Sequence, residues 1–113
     1  METTVALDAF AALSQPTRLE AFRRLVRAGP EGLPAGGVAQ ALGVPANTMS
    51  THLAILERAG LVASRREGRL VYYVAALGQV RDLVEFLLTD CCAGNAEMCA
   101  DVAAIAARTR ACC

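Results

Sequence analysis

The first ninety residues contain no cysteine, and no apolar run in the 113-residue chain reaches the roughly 18 residues of a membrane-spanning helix. The N-terminus also lacks a basic leader followed by a long apolar stretch, so we expect no secretion signal and a cytoplasmic location. Net charge is zero, with 11 basic and 11 acidic residues. The whole-chain charge therefore does not indicate a nucleic-acid partner, and any such indication must come from local clusters.

All five cysteines follow residue 90. Thiols in the cytosol stay reduced, and cysteine clusters there bind metals or react more often than they form structural disulfides. An odd number of cysteines also argues against a complete disulfide framework. The C-terminal segment is therefore a candidate for thiol chemistry.

Apolar residues at helical spacing predict two helices near the N-terminus. The first covers residues 5–13. The second begins near Pro16, with Ser14 as its N-cap, and stops at Gly29. Its arginines lie mostly off the apolar stripe, which is typical of an amphipathic helix. The stripe consists of Leu19, Phe22, Leu25 and Val26.

Residues 33–60 predict a helix-turn-helix. A short apolar helix around residues 38–42 is followed by a turn at Gly43 and by a second helix that starts near residue 46 and stops at Gly60. Two helices joined by a tight glycine-containing turn are typical of this motif. The second helix repeats Met49, His52, Leu53 and Leu56 at spacings of three and four.

After Gly60 the pattern becomes that of a β-hairpin. The stretch LVASRREGRLVYYV has two β-rich arms around Glu67 and Gly68, and the glycine allows the positive φ of a tight turn. A helix-turn-helix followed by a hairpin predicts a winged helix-turn-helix, a mainly α fold with a β-hairpin wing.

The exposed residues of this predicted fold suit DNA. The first turns of the helix at 46–59 carry short donors and acceptors, and such helices enter the major groove by their N-terminal end. Arginines at a hairpin tip suit phosphates or the minor groove. Each feature alone is commonly a solvated surface, and their occurrence in one helix-turn-helix-wing order favours DNA binding. The candidate residues are Asn47, Thr48, Ser50, Thr51, His52, Arg65, Arg66 and Arg69.

Two stretches, FAALSQPTRLEAFRRLV and NTMSTHLAILERAGLVASRREGRLVYYV, resemble the ArsR/SmtB family of metal- and metalloid-responsive repressors. The resemblance covers about residues 7–90. It implies a homodimeric repressor of double-stranded operator DNA, whose first helix and helix 77–90 form the dimer interface. A dimer would also supply burial to a chain of this small size. The resemblance places Ser50, Thr51 and His52 on the recognition helix, and Arg65, Arg66 and Arg69 on the wing.

We expect residues 1–90 to form the DNA-binding and dimerisation domain, and residues 91–113 to form a cysteine-containing sensor segment and tail. An apolar stripe from Leu77 through Val80, Val84 and Leu87 leads to Cys91. Of two sites common in the family, one is absent because AGGVAQALG has no thiol, and the other is disfavoured because LGQVRDLVEFLLTD has the carboxylates Asp82, Glu85 and Asp90 but no histidine.

Three thiolates suit a soft, thiophilic ion and offer little to Mg²⁺ or Ca²⁺. Pyramidal As(III) requires only three sulfurs, and so does Sb(III). Some arsenic repressors of the resembled family carry a cysteine pair and a third cysteine just past the last helix, which implies As(III) as the inducer. By that resemblance the ligands are Cys91, Cys92 and Cys99.

Several readings of the cysteines stay open. A methylated trivalent arsenical needs two sulfurs, while Cd²⁺, Pb²⁺ or Zn²⁺ are other thiophilic ligands, with Cys112 or Cys113 as additional donors for zinc. The thiols could instead sense oxidation or persulfide, or Cys91 could be a core residue among inert cysteines. A small thiol enzyme such as an arsenate reductase needs a phosphate-cradling loop or a basic partner near the thiolate, and no such motif is present. We therefore expect a regulator and not an enzyme.

Overall fold

A computed structural model describes residues 1–88 and, beyond them, Ala104. No helix in this described part is long and apolar enough to cross a membrane. A 3₁₀ turn at Gly29–Glu31 follows the second helix. The elements are α1 (Thr3–Leu13), α2 (Pro16–Ala28), β1 (Leu33–Pro34), α3 (Ala35–Leu42), α4 (Ala46–Arg58), β2 (Val62–Glu67), β3 (Leu70–Ala75) and α5 (Leu77–Leu88).

The predicted N-cap of α2 is wrong. Gln15 precedes the helix with extended backbone angles (φ −127°, ψ 132°), and its side-chain oxygen accepts the backbone N–H of Arg18 at 2.8 Å. Ser14 has φ −84° and ψ 25°, which is not the extended conformation of an N-cap. It ends α1 instead, because its hydroxyl donates to the carbonyl oxygen of Ala11 at 2.9 Å.

The predicted apolar stripe of α2 is only half buried. Phe22 and Leu25 lie in the core, whereas Leu19 and Val26 are 41% and 36% exposed. Ala21 is buried in their place. At 100° per residue, positions 21, 22 and 25 share one side of the helix, while positions 19 and 26 lie about 100° from the centre of that side, on the flank next to Phe22.

The helix-turn-helix is confirmed. Val38 and Ala39 of α3 are buried, and the inner face of α4 consists of three fully buried side chains. His52 lies at the edge of that face and is half-buried. The helix ends at Arg58, shortly before Gly60. The buried side chains of α4 are Met49, Leu53 and Leu56.

The wing is confirmed, with one strand more than expected. Strands β2 and β3 pair antiparallel from Val62–Ala75 to Glu67–Leu70, and Gly68 in the turn has φ 62°. Strand β1 pairs with the other edge of β3, so that the sheet order is β1-β3-β2. The wing is thereby attached to the start of α3.

Of the described residues in the stripe predicted on α5, only Val80 packs against the core. Leu83 is the buried residue of this helix, whereas Leu77 and Val84 are 40% and 41% exposed. On α1 the buried side chains are alanines, whereas Val5 and Phe10 are 40% and 39% exposed. Both terminal helices of the described part therefore present apolar side chains to the outside.

Candidate nucleic-acid interface

The N-terminal turns of α4 present a row of exposed polar side chains. Pro45 makes no side-chain cap, and the side-chain oxygen of Asn47 accepts the N–H of Thr48 at 3.0 Å. The hydroxyl of Thr51 donates to the carbonyl oxygen of Asn47 at 3.2 Å. The amide group of Asn47 and the hydroxyls of Thr48 and Ser50 lie on exposed residues, as a surface that reads base edges requires.

His52 has a specific neighbour inside the protein. Its Nδ1 atom lies 3.4 Å from Nη1 of Arg18, which belongs to α2. The Nε–H of Arg18 donates to the carbonyl oxygen of Ala12 at 2.7 Å, near the end of α1. One guanidinium therefore connects the end of α1 to the middle of α4.

The guanidinium of Arg65 interacts mostly within the chain. Nη2 donates to the carbonyl oxygen of Glu31 at 2.7 Å, and Nε donates to Glu67 at 3.0 Å. The same group lies over the ring of Tyr72, 5.1 Å from its centroid. Arg65 holds the wing to the 3₁₀ turn in this conformation, and its role in DNA binding stays a prediction.

Arg66 and Arg69 are exposed in the same hairpin. Side chains alternate between the two faces of a strand, so Arg66 shares its face with Ser64 and not with Arg65. The hydroxyl of Ser64 donates to Glu57 of α4 at 2.5 Å, which identifies this face as the one toward α4. Arg69 lies in the turn beside Gly68. Of the three predicted wing arginines, Arg66 shares the strand face that contacts the recognition helix.

The contact between the wing and α4 also affects a tyrosine. The residue opposite Ser64 is Tyr73 on β3. Burial raises the pKa of Tyr73 above 10.0, and the negative charge of Glu57 raises that pKa further. The phenol consequently stays protonated throughout the neutral range.

Three residues that the sequence analysis did not single out hold α4 in place: Arg18, Glu57 and Gln79. The amide Nε2 of Gln79 on α5 donates to the carbonyl oxygen of Ala59, just past the end of α4, at 3.1 Å. Their partners are 34, 7 and 20 positions away. Only the Glu57–Ser64 pair is near enough in sequence for the hairpin prediction to have suggested it.

The predicted metal ligands Cys91, Cys92 and Cys99, together with Cys112 and Cys113, lie outside the described residues. Within the described part of the chain, no three histidine, cysteine or acidic side chains form a group that could hold a metal ion.

The fold, the exposed polar turns of α4 and the arginine-bearing wing define a winged helix-turn-helix protein of the kind that binds DNA. A helix-turn-helix domain family matches residues 13–65. A curated relative, an HTH-type transcriptional regulator of Methanocaldococcus jannaschii, is 30% identical over 82 residues, covering 73% of this chain and 90% of the relative.

Similar solved structures are also helix-turn-helix or transcriptional regulator proteins. An ArsR-like transcriptional regulator from Rhodococcus sp. RHA1 is 30% identical over 90% of each chain, with a TM-score of 0.68. A homodimeric winged helix-turn-helix domain from Mycobacterium bovis is 26% identical, covers 76% of this chain and 78% of that one, and has a TM-score of 0.64. A possible transcriptional regulator for arsenical resistance is 32% identical over 72% of this chain and 84% of that one, with a TM-score of 0.55.

The chain belongs to the ArsR-like family of helix-turn-helix transcriptional regulators. Its relatives and its fold are those of DNA-binding regulators and not of enzymes.

Proposed function

We propose that this protein is an arsenic-responsive repressor. Its ligand-free dimer binds operator DNA and dissociates when As(III), or chemically similar Sb(III), binds the thiolates of Cys91, Cys92 and Cys99. The observation that carries the proposal is the order of features along the chain. The α5 helix, which exposes apolar side chains such as Leu77 and Val84, is described as far as Leu88, and Cys91 follows three positions later in the sequence.

The dimer follows from the surfaces of α1 and α5. Val5, Phe10, Leu77 and Val84 are each about two-fifths exposed in the single chain. Burying apolar area is favourable by about 25 cal/mol per Å², so a second copy that covers both helices would be stabilised. The homodimeric domain from M. bovis supports the same assembly. Two copies of α4 would then lie about 34 Å apart, one turn of B-DNA.

The choice of ligand rests on the donor set. Three thiolates without histidine or carboxylate favour soft ions over hard ones. Zinc usually takes four protein ligands in a structural site, whereas As(III) binds three and keeps a lone pair in the fourth direction. The similarity to a possible regulator of arsenical resistance supports arsenic.

Ligand binding just beyond α5 would alter the end of a dimer-forming helix and hence the relative positions of the two copies of α4. Allosteric coupling of this kind typically amounts to about 1–3 kcal/mol, which is roughly a 5- to 150-fold change in affinity. The coupling must also be reciprocal, so that operator DNA weakens arsenite binding by the same factor.

The test is a gel-shift panel on a duplex that the ligand-free protein selects from a random pool. As(III), Sb(III), Cd²⁺, Pb²⁺, Zn²⁺, peroxide and persulfide are added in turn to the wild type and to Cys92→Ser and Cys99→Ser. Cys112→Ser is the matched control, since that thiol is outside the proposed ligand set. We expect As(III) to release DNA from the wild type and the control, while the two ligand variants stay bound.

Release of Cys92→Ser or Cys99→Ser at the wild-type arsenite concentration would refute the ligand set. Release by peroxide or persulfide but not by arsenite would identify a redox sensor instead. Loss of DNA binding by the ligand-free variants would make these cysteines structural. Arsenite titrations with and without the duplex then test reciprocity, and equal affinities would contradict the coupling.

A further inference from the structure

Arg18 of α2 contacts residues that precede α2 and also a residue of α4. The backbone N–H of Arg18 is accepted by the side chain of Gln15, and its Nε–H by the carbonyl oxygen of Ala12. These two bonds hold the backbone of Arg18 and the Nε atom of its side chain in place. The Nη1 group of the same guanidinium lies 3.4 Å from Nδ1 of His52 on α4.

The chemistry of this pair determines where the histidine carries its proton. A guanidinium has five N–H donors, no acceptor, and is always protonated. In a hydrogen bond between these two groups, Nδ1 of His52 is therefore the acceptor, which requires that the proton of a neutral ring sit on Nε2. At 3.4 Å the contact is longer than the roughly 2.7–3.2 Å of a strong N–H bond, so it is weak. In the other tautomer the Nδ1–H of His52 would face the Nη1–H of Arg18, and two donors repel each other. The tautomer with its proton on Nε2 is therefore preferred.

We propose that Arg18 is a positioning residue for DNA recognition, which orients His52 and keeps its proton on Nε2. The two ring nitrogens direct their bonds to nearly opposite sides, so the Nε2–H points away from Arg18. His52 would then offer DNA one donor, suited to a phosphate oxygen or to base acceptors such as guanine N7 and O6. The amino groups of cytosine and adenine are donors and would be rejected.

The contact can be tested without DNA. His52 is the only histidine in the chain, so nitrogen-15 labelling of histidine gives a spectrum of one imidazole ring. Arg18→Lys is the informative variant. The ammonium of lysine ends one atom short of Nη1, so it keeps the charge and reaches Ala12 but leaves Nδ1 without its donor. Arg23→Lys is the matched control, because Arg23 is an exposed arginine of the same helix.

We expect the wild-type ring to carry its proton on Nε2, with an Nδ1 resonance that shows an accepted hydrogen bond. Arg18→Lys should move the Nδ1 resonance toward its position in denaturant, and Arg23→Lys should leave it unchanged. A proton on Nδ1, or an Nδ1 resonance that ignores Arg18→Lys, would overturn the contact. If Arg18→Lys does not fold, the test uses the wild type alone, by comparing its Nδ1 resonance in the native and the denatured protein. Equal resonances would refute the bond.

The consequence for recognition is tested by a double-mutant cycle on the selected duplex, and this part rests on the proposed DNA binding. Glutamine at position 52 carries both a donor and an acceptor, so it does not depend on Arg18. We expect Arg18→Lys to weaken binding about three- to tenfold in the wild type and less than about twofold beside His52→Gln. Equal losses in both backgrounds would show that Arg18 does not act through His52.

The imidazole spectrum and the DNA-binding cycle distinguish failure of the Arg18–His52 contact from failure of the proposed DNA binding. A wild-type protein that selects no duplex would refute the proposed DNA binding and, with it, the role in recognition. The resonance of the imidazole would still decide whether Arg18 holds His52.

Discussion

Replacing Gly32 by alanine is expected to detach β1 from the wing, and Gly29→Ala provides a matched control. Gly29 has φ 73° and ψ −158°, and Gly32 has φ 72° and ψ −169°. Residues other than glycine rarely enter this region. The two positions differ in space. A Cβ at Gly29 would meet nothing within 4 Å, whereas one at Gly32 would overlap the carbonyl oxygen of Tyr73 and approach Cγ2 of Val74 to 2.8 Å.

The structure separates the two costs. The backbone strain of alanine in this region is about 1–3 kcal/mol and applies to both variants. Overpacking adds about 1–3 kcal/mol at Gly32 alone, because its neighbour is a backbone carbonyl of the central strand and cannot rotate away. Any gain from a less flexible unfolded chain is common to both variants and cancels. We therefore expect Gly32→Ala to be about 1–3 kcal/mol less stable than Gly29→Ala.

The assay is urea denaturation followed by circular dichroism. Protein concentration must be matched, since dimerisation would make apparent stability depend on it. The same difference corresponds to about 4–8 °C in melting temperature per kcal/mol for a domain of about this size. Equal stability of the two variants would refute the reasoning, because it would mean that β1 moves at no cost and contributes nothing to the wing.

Three further outcomes are expected. Leu56→Ala, which truncates a fully buried side chain of α4, should cost about 2–5 kcal/mol in urea denaturation. Burial and then Glu57 raise the pKa of Tyr73 above 10.0, so its stabilising contribution is complete below pH 10.0 and is lost as pH rises through the folded pKa. An absorbance titration, with the neighbouring tyrosine replaced by phenylalanine, should place the tyrosine pKa above that of the unfolded chain. Gln79→Ala, which removes the bond to the carbonyl oxygen of Ala59, should cost about 0.5–1.5 kcal/mol.

The winged helix-turn-helix was predictable because its signals are local. Met49, Leu53 and Leu56 repeat at helical spacing and are all buried, and Gly68 supplies the positive φ of the hairpin turn. β1 has no comparable signal. It is two residues long and includes Pro34, and it exists because β3 offers a free edge at Tyr72 and Tyr73.

The candidate interface was predictable by residue type but not by environment. Spacing puts Arg65 and Arg66 together at the hairpin, yet strand alternation and the carbonyl oxygen of Glu31 give them different surroundings. The contact of Arg18 with His52 spans 34 positions and depends on how α2 crosses α4. The apolar stripe of α5 was located correctly, but periodicity could not tell a surface buried in the chain from one left exposed.

Hydrogen bonds connect the recognition helix α4 to both α1 and α5, the two helices that carry exposed apolar residues. Arg18 connects its middle to the end of α1, and Gln79 on α5 connects to the carbonyl oxygen that follows its C-terminal end. A hydrogen bond of ordinary length contributes about 0.5–1.5 kcal/mol net, the longer Arg18–His52 contact contributes less, and a typical allosteric coupling is about 1–3 kcal/mol. Breaking one or two of these bonds would thus be of the size that the proposed cysteine sensor would require. Arsenite release can be expressed as the operator affinity of the ligand-free protein divided by the affinity in the presence of arsenite. Because Gln79 lies on the helix that precedes the cysteines, we expect Gln79→Ala to lower this ratio more than Arg18→Lys does. An equal ratio in Gln79→Ala and the wild type would place the coupling elsewhere.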